Sequence, residues 1–290
     1  MIKEALFYKK NSDLTITCLL CPHYCKIAPE STGICKVRKN IKGVLYAISY
    51  GIISGIALDP IEKKPLFNFY PGSKILSVGG YGCNFKCDFC QNWSISQSAV
   101  SLSNESIITL PETLIKEALP LVSIGNIGIA FTYNEPFIWY EYILETAILL
   151  KANNLKCVIV TNGYINTEPL KQLLPYVDAM NIDLKSFNNN FYNNTCGGSI
   201  ENVKKTIVLA NEFSHIELTS LIIPGLNDSN VEMEKMASWI SNINPNITLH
   251  LSRYFPKYKR ESPGPTPIET LLNLKTIAEK HLKHVYLGNV

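Results

Sequence analysis

Three cysteines stand in one short stretch, Gly82-Cys83-Asn84-Phe85-Lys86-Cys87-Asp88-Phe89-Cys90, spaced C-x3-C-x2-C directly after the apolar run Ile75 to Val78. Three thiolates this close can hold three irons of a [4Fe–4S] cube, whereas an electron-transfer cluster of that type takes four cysteines. The missing ligand leaves one iron open, much as a catalytic zinc keeps a position open for its substrate. Zinc itself is the plainer occupant, but it wants four ligands and no fourth cysteine lies nearby. A second group, Cys18, Cys21, Cys25 and Cys35, has the count and the local turns of a closed tetrahedral site. Zinc and a second iron–sulfur cluster both suit it, with His23 as a reserve ligand. Cys157, inside an apolar run, reads as core packing, and Cys196 sits on a loop where a reactive role is open.

Elements that could position these groups follow from the hydrophobic pattern. From Lys74 onward, strands are predicted over 74–79, 127–132, 157–162, 178–184, 215–222 and 247–252, with helices over 111–122, 136–153, 168–175, 200–211, 229–241 and 267–281. Pro111, Pro136 and Pro267 fall near helix starts, where a missing N–H is harmless. Such alternation means a parallel sheet with crossover helices, either doubly wound or a barrel. Period-two patterning puts Asn181, Asp183 and Lys185 on one face, as it does Glu217 with Thr219, and Thr248 with His250 and Ser252. Doubly wound sheets are buried on both faces and read as continuous apolar runs. The expectation is therefore a partial (β/α)6 barrel with a wet, ligand-filled interior. Polar strings close the predicted strands: Thr132-Tyr133-Asn134-Glu135-Pro136, Thr161-Asn162-Gly163, Asp183-Leu184-Lys185 and Ser252-Arg253-Tyr254. Barrel active sites gather at those carboxyl ends. The run Asp59 to Gly72 suggests a boundary, with residues 1–72 as a small Cys-rich, short-strand segment and 73–290 as the barrel.

Bulk properties narrow the function. With 290 residues, 46% of them hydrophobic and 18% charged, the chain can bury a sizeable core. A net charge of +3 gives no nucleic-acid footprint, and no apolar run is long enough for a membrane span. The first residues lack the apolar core of a signal peptide, so a cytoplasmic location is expected. Nine cysteines there point to metal or catalysis rather than disulfides.

The chain resembles the radical S-adenosylmethionine enzymes related to pyruvate formate-lyase activating enzyme, and looks closest to the AmmeMemoRadiSam system radical enzymes. Carrying the resemblance are the two cysteine groups, Asp59-Pro60-Ile61-Glu62-Lys63-Lys64-Pro65-Leu66, Cys90-Gln91-Asn92-Trp93, Thr132 to Pro136, Val160-Thr161-Asn162-Gly163, Asn181 to Lys185 and Tyr286-Leu287-Gly288-Asn289-Val290. It implies a TIM-like barrel of the radical enzyme type, with a [4Fe–4S] cluster on Cys83, Cys87 and Cys90 beside the aromatic Phe89. It further implies S-adenosylmethionine bound to the open iron, anaerobic reductive cleavage, an electron donor such as flavodoxin or ferredoxin, and hydrogen abstraction from a partner protein or a small substrate. Glu135 would take the methionyl ammonium, Phe89, Asn134, Thr161, Asn162, Asp183 and His250 would contact the cofactor, and Asp183, Lys185 and His250 would serve catalysis. Val160 stands where glycyl-radical activases carry an aspartate. The extra cysteines precede the main motif rather than follow it, and the chain stops at Gly288-Asn289-Val290, where such proteins often run on. Activation of a glycyl-radical enzyme is the alternative chemistry. A non-catalytic iron–sulfur or zinc carrier or scaffold is the alternative of another class.

Overall fold

The computed structural model describes residues 2–99 and 107–290. Six short strands come first: β1 (Lys3–Glu4), β2 (Tyr8–Lys10), β3 (Ile16–Cys18), β4 (Lys26–Ile27), β5 (Arg38–Ile41) and β6 (Val44–Ala47). They pair as two three-stranded antiparallel sheets, β1-β6-β5 and β2-β3-β4. Arg38 and Asn40 alternate with half-buried residues along β5 and are buried, so each needs polar partners. Asn40 Nδ2 donates to the Leu14 and Ile27 carbonyls, which ties the two sheets together. The Arg38 guanidinium meets the Glu141 carboxylate at 2.7 and 3.2 Å and donates to the Leu6 carbonyl. That buried pair fastens the N-terminal sheets to the helix Tyr140–Ala152.

Eight strands form the main sheet: β7 (Gly55–Pro60), β8 (Lys74–Gly79), β9 (Asn126–Phe131), β10 (Lys156–Thr161), β11 (Ala179–Asp183), β12 (His215–Ile222), β13 (Thr248–Arg253) and β14 (Val285–Gly288). Their spatial order is their chain order; β8 to β14 run parallel and β7 pairs antiparallel with β8. A doubly wound sheet reverses its strand order at a switch point. Here the order never reverses, and right-handed crossovers then send every connecting helix to the same side. The other side becomes the interior. Among the described strands, β7 and β14 are the two edges of the sheet, so the wall is a partial barrel.

Six helices cover the outside: Pro111–Ala118, Tyr140–Ala152, Thr167–Leu173, Ile200–Asn211, Asn230–Ile243 and Ile268–Ala278. Ser229 caps the fifth by accepting from the Glu232 N–H, and Met233, Met236, Ala237 and Ile240 are its buried stripe. Burying each of the larger three contributes roughly 1.5–3 kcal/mol, so a charge at Met236 would loosen the packing of this helix. Pro120 ends the first helix two residues after Ala118 and turns the chain into a 3-10 segment. The parallel strand β14 was not anticipated from the sequence. Nor was the place of β7, which lies in a stretch expected only to form short strands.

The barrel interior is only half wet. Pro65 to Asn68 enters its lower part and meets the polar strand faces there. Asn181 Nδ2 donates to the Pro65 carbonyl at 2.8 Å, and Asn68 Nδ2 donates to Thr248 Oγ1 at 2.7 Å. Glu217 accepts the Phe67 and Asn68 amides at 3.0 and 2.7 Å. Leu66 and Phe69 pack with Ile75, Ala130, Val158 and Ala179. The expected ligand-filled interior is therefore corrected: Asn181, Glu217, Thr248 and His250 face a plug made by the chain itself. Backbone N–H and C=O groups entering a core need partners, and those polar residues supply them. Among the described residues, no helix is long and apolar enough to cross a membrane.

Candidate active site

Above the plug, at the carboxyl ends of the strands, lies a cavity of about 360 Å³. Its wall includes Cys83, Cys87 and Cys90, the aromatic Phe89, and Asn134, Glu135, Thr161, Asn162, Asp183 and Lys185. Of the residues expected from sequence to make a site with the cysteine triad, His250 is not part of this wall. Its Nε2 sits 2.6 Å from Glu217 Oε2, below the cavity, with its ring against Phe67 and Tyr286.

The cysteine loop is held from several sides. Leaving β8, the chain passes Gly82, whose φ of +81° is the left-handed region that favours glycine; a Cβ there would stand 2.4 Å from the Cys35 carbonyl oxygen. Asn134 clasps the same turn, accepting from the Gly80 N–H and donating to the Gly82 carbonyl, both at 3.0 Å. Tyr133, itself at φ +73°, offers its carbonyl to Asn92 Nδ2 at 2.7 Å. Across the loop, Arg260 grips Asp88, between two of the cysteines, at 2.6 and 3.0 Å. His23, read from sequence as a reserve ligand, points Nε2 at the Asn84 carbonyl, 2.7 Å away.

Around the sulfurs stand donors. The Phe85 N–H lies 3.3 Å from Cys83 Sγ, Asn162 Nδ2 lies 3.7 Å from it, and Ser96 Oγ lies 3.2 Å from Cys90 Sγ. Burial pushes the Cys83 and Cys90 thiols up. Cys87 goes the other way, chiefly because Cys196 hydrogen-bonds it, and also because Lys185 is near. Cys196, expected on a loop with a reactive role open, is buried at the end of the turn Tyr192–Cys196, with its carbonyl accepting the Lys86 N–H at 2.8 Å. Cys157 is fully buried on β10. Among the described residues, no three His, Cys, Asp or Glu groups close around one point as a single metal ion requires. Three thiols on one cavity wall are the number that a [4Fe–4S] cluster with one open iron would take.

Glu135 is 1% exposed yet lines the cavity. Its Oε1 accepts from the Phe137 N–H at 2.8 Å and Thr161 Oγ1 at 2.7 Å, and its Oε2 accepts from the Asn162 N–H at 2.8 Å. A carboxylate offers about four acceptor positions, so one remains, on Oε2. Burial pushes its carboxyl up to about 7 against the lowering effect of those donors. Asp183 and Lys185 leave β11 side by side, Oδ2 to Nζ at 2.7 Å. Burial opposes the lysine's charge, but Asp183, Cys87 and Cys196 outweigh it and hold the amine well above the usual lysine range.

Several wall residues were not assigned a role from sequence. Thr219 and Ser252 were seen only as members of polar strand faces, though both line the cavity. Lys64, 3% exposed, pairs with Asp59 at 2.9 Å and lies over the Tyr133 ring, whose hydroxyl also bonds Asp59. The string Asp59 to Leu66 was a recognisable signature, but its contacts lie across the fold and leave no local pattern.

Residues 77–240 match the Radical SAM superfamily. An uncharacterized protein of Methanocaldococcus jannaschii is 41% identical over 292 residues, spanning 100% of this chain and 86% of that one. The pyruvate formate-lyase-activating enzyme of Clostridium pasteurianum is 22% identical over 188 residues, 60% of this chain and 75% of that enzyme. Among solved structures, Streptococcus suis SuiB bound to S-adenosylmethionine superposes with a TM-score of 0.57 at 13% identity, over 72% of this chain and 48% of SuiB. SuiB bound to precursor peptide SuiA gives a TM-score of 0.56 at 13% identity, over 72% of this chain and 47% of SuiB.

Proposed function

The chain belongs to the radical SAM superfamily, and from that membership we propose that it cleaves S-adenosylmethionine reductively in the Cys83/Cys87/Cys90 cavity and takes a hydrogen atom from a partner protein. One observation carries the reading: three thiols, a buried carboxylate with a spare acceptor position and an Asp–Lys pair line the same cavity. A [4Fe–4S] cluster held by Cys83, Cys87 and Cys90 would supply one-electron reduction of the S-adenosylmethionine sulfonium, whose bond to the 5′ carbon would break to give methionine and a 5′-deoxyadenosyl radical.

The chain's own residues do the rest. Cys83, Cys87 and Cys90 hold the cluster, and Lys185 places a positive charge beside Cys87, favouring its thiolate form. Thr161 and the Asn162 amide fix the Glu135 carboxylate so that the free position on Oε2 accepts from the methionyl ammonium. Asn134 and Asn92 keep the cysteine loop against the strand end. The plug closes the cavity below, so substrate enters from the loop side.

A protein as hydrogen donor is supported by two likenesses. The Clostridium pasteurianum relative is named for activating another enzyme, and SuiB is seen with a precursor peptide. Activation of a glycyl-radical enzyme is the narrower form of the same reading. A low-potential one-electron carrier, flavodoxin or ferredoxin, is the proposed source of electrons. The test uses anaerobic, iron-loaded, reduced protein with S-adenosylmethionine and cell extract in which either macromolecules or small molecules carry deuterium. Deuterium should enter 5′-deoxyadenosine from the macromolecular fraction. Label arriving from the small-molecule fraction would remove the protein substrate, and no 5′-deoxyadenosine at all would remove the reading.

A further inference from the structure

The four N-terminal cysteines take no part in the cavity, yet the fold gathers them. Cys18 ends β3, and its N–H donates to the Cys25 carbonyl at 3.0 Å, closing a turn that carries Cys21 and Cys25. Within it, the Tyr24 N–H donates to the Cys21 carbonyl at 3.2 Å. Cys35 lies on a second turn, closed by Lys36 N–H to the Gly33 carbonyl at 2.9 Å. The turns meet, because a Cβ on Gly33 would stand 3.7 Å from Cys25 Sγ. Cys18, Cys21 and Cys35 are buried and Cys25 is half-buried.

A second observation points to an occupant. Arg38 is 1% exposed, and its Nε finds no hydrogen-bond partner among the described residues. Its other nitrogens are used on Glu141 and Leu6. The Gly33 N–H donates to the Arg38 carbonyl at 2.9 Å, so Arg38 borders the same two turns. Buried donors are almost always paired, and an anionic sulfur centre there would take this one.

Zinc and a [4Fe–4S] cube both take four thiolates, but only the cube could exchange an electron with a cluster on the neighbouring loop. We propose that Cys18, Cys21, Cys25 and Cys35 ligate a second iron–sulfur cluster, seated directly against the loop that carries the first. The contact is explicit: the Cys35 carbonyl presses on Gly82, and His23 Nε2 reaches the Asn84 carbonyl at 2.7 Å, so the residues on both sides of Cys83 touch the N-terminal turns. A one-electron centre in that position would be a redox site rather than a structural ion.

The test does not require S-adenosylmethionine chemistry, so its failure is separate from failure of the reading above. Protein with Cys83, Cys87 and Cys90 all changed to alanine is isolated and reconstituted without oxygen, then assayed for iron, sulfide and zinc and examined by EPR after reduction. It should keep about four irons and four sulfides, and a reduced-cluster signal unmoved by S-adenosylmethionine. In unaltered protein with both clusters reduced, the signal should be broadened by coupling between neighbouring spins, and it should sharpen in the triple variant. About one zinc, or no metal, in the triple variant would overturn the proposal, as would a cluster there with no coupling in unaltered protein.

Discussion

Replacing Glu217 by glutamine should release the barrel plug. All four acceptor positions of this carboxylate are filled, by the Phe67 and Asn68 amides, His215 and His250, at 2.6 to 3.0 Å. Burial alone would raise its acidity constant's pKa, but those four donors outweigh it and bring it from 4.5 down to about 2. At about 1.4 kcal/mol per tenfold change in acidity constant, that difference is worth about 3 kcal/mol of stability. Because the folded value lies below the unfolded one, the contribution is fully present above about pH 4.5 and is lost as pH falls through about 2. Somewhat over half should be gone by pH 3. Glutamine has one acceptor oxygen where glutamate has two, so part of the donor set would face an N–H₂ group, at a cost of roughly 1–3 kcal/mol for each stranded donor. Anaerobic urea unfolding at pH 7 should place E217Q at least about 3 kcal/mol below the unaltered protein, and the gap should narrow by pH 3. A difference under about 0.5 kcal/mol at pH 7, or a gap independent of pH, would refute the idea that this carboxylate anchors the plug.

Other expected outcomes concern the cavity. Glu135→Ala should weaken S-adenosylmethionine binding about ten- to a hundredfold, as loss of a charge-assisted hydrogen bond does, while iron content is kept; titration of the reduced cluster's EPR signal measures it. Lys185→Met should lower the rate of 5′-deoxyadenosine formation more than it lowers iron content, since the amine sits beside Cys87 without being a ligand. Gly82→Ala combines a left-handed φ, costing roughly 1–2 kcal/mol, with a Cβ 2.4 Å from the Cys35 carbonyl; thermal unfolding should fall and iron loading should drop together.

How much could be read in the chain depends on the range of the interaction. The cysteine triad and the strand-end strings are local, and barrel topology follows from alternation and from the polar faces of β11, β12 and β13. Those faces were legible as polar but not by what fills them. Asn181 meets Pro65 across 116 residues and Glu217 meets Asn68 across 149, and no periodicity encodes such pairings. His250 shows the consequence: its strand face was right, but one hydrogen bond to Glu217 keeps it below the cavity. Arg38 and Glu141 are a similar case, since each reads as a surface charge and together they form a buried pair. Strand β14 was missed because one buried and three half-buried residues near a chain end give almost no pattern.

The central claim is an iron left open among Cys83, Cys87 and Cys90, and one measurement addresses it most directly. The EPR spectrum of the reduced, anaerobic protein is recorded with and without S-adenosylmethionine, in the unaltered chain and in the variant with all three cysteines changed to alanine. Binding at the open iron should shift the cluster signal in the unaltered protein, and that shift should vanish in the variant. A spectrum indifferent to S-adenosylmethionine, or a shift that survives loss of the three cysteines, would contradict the account.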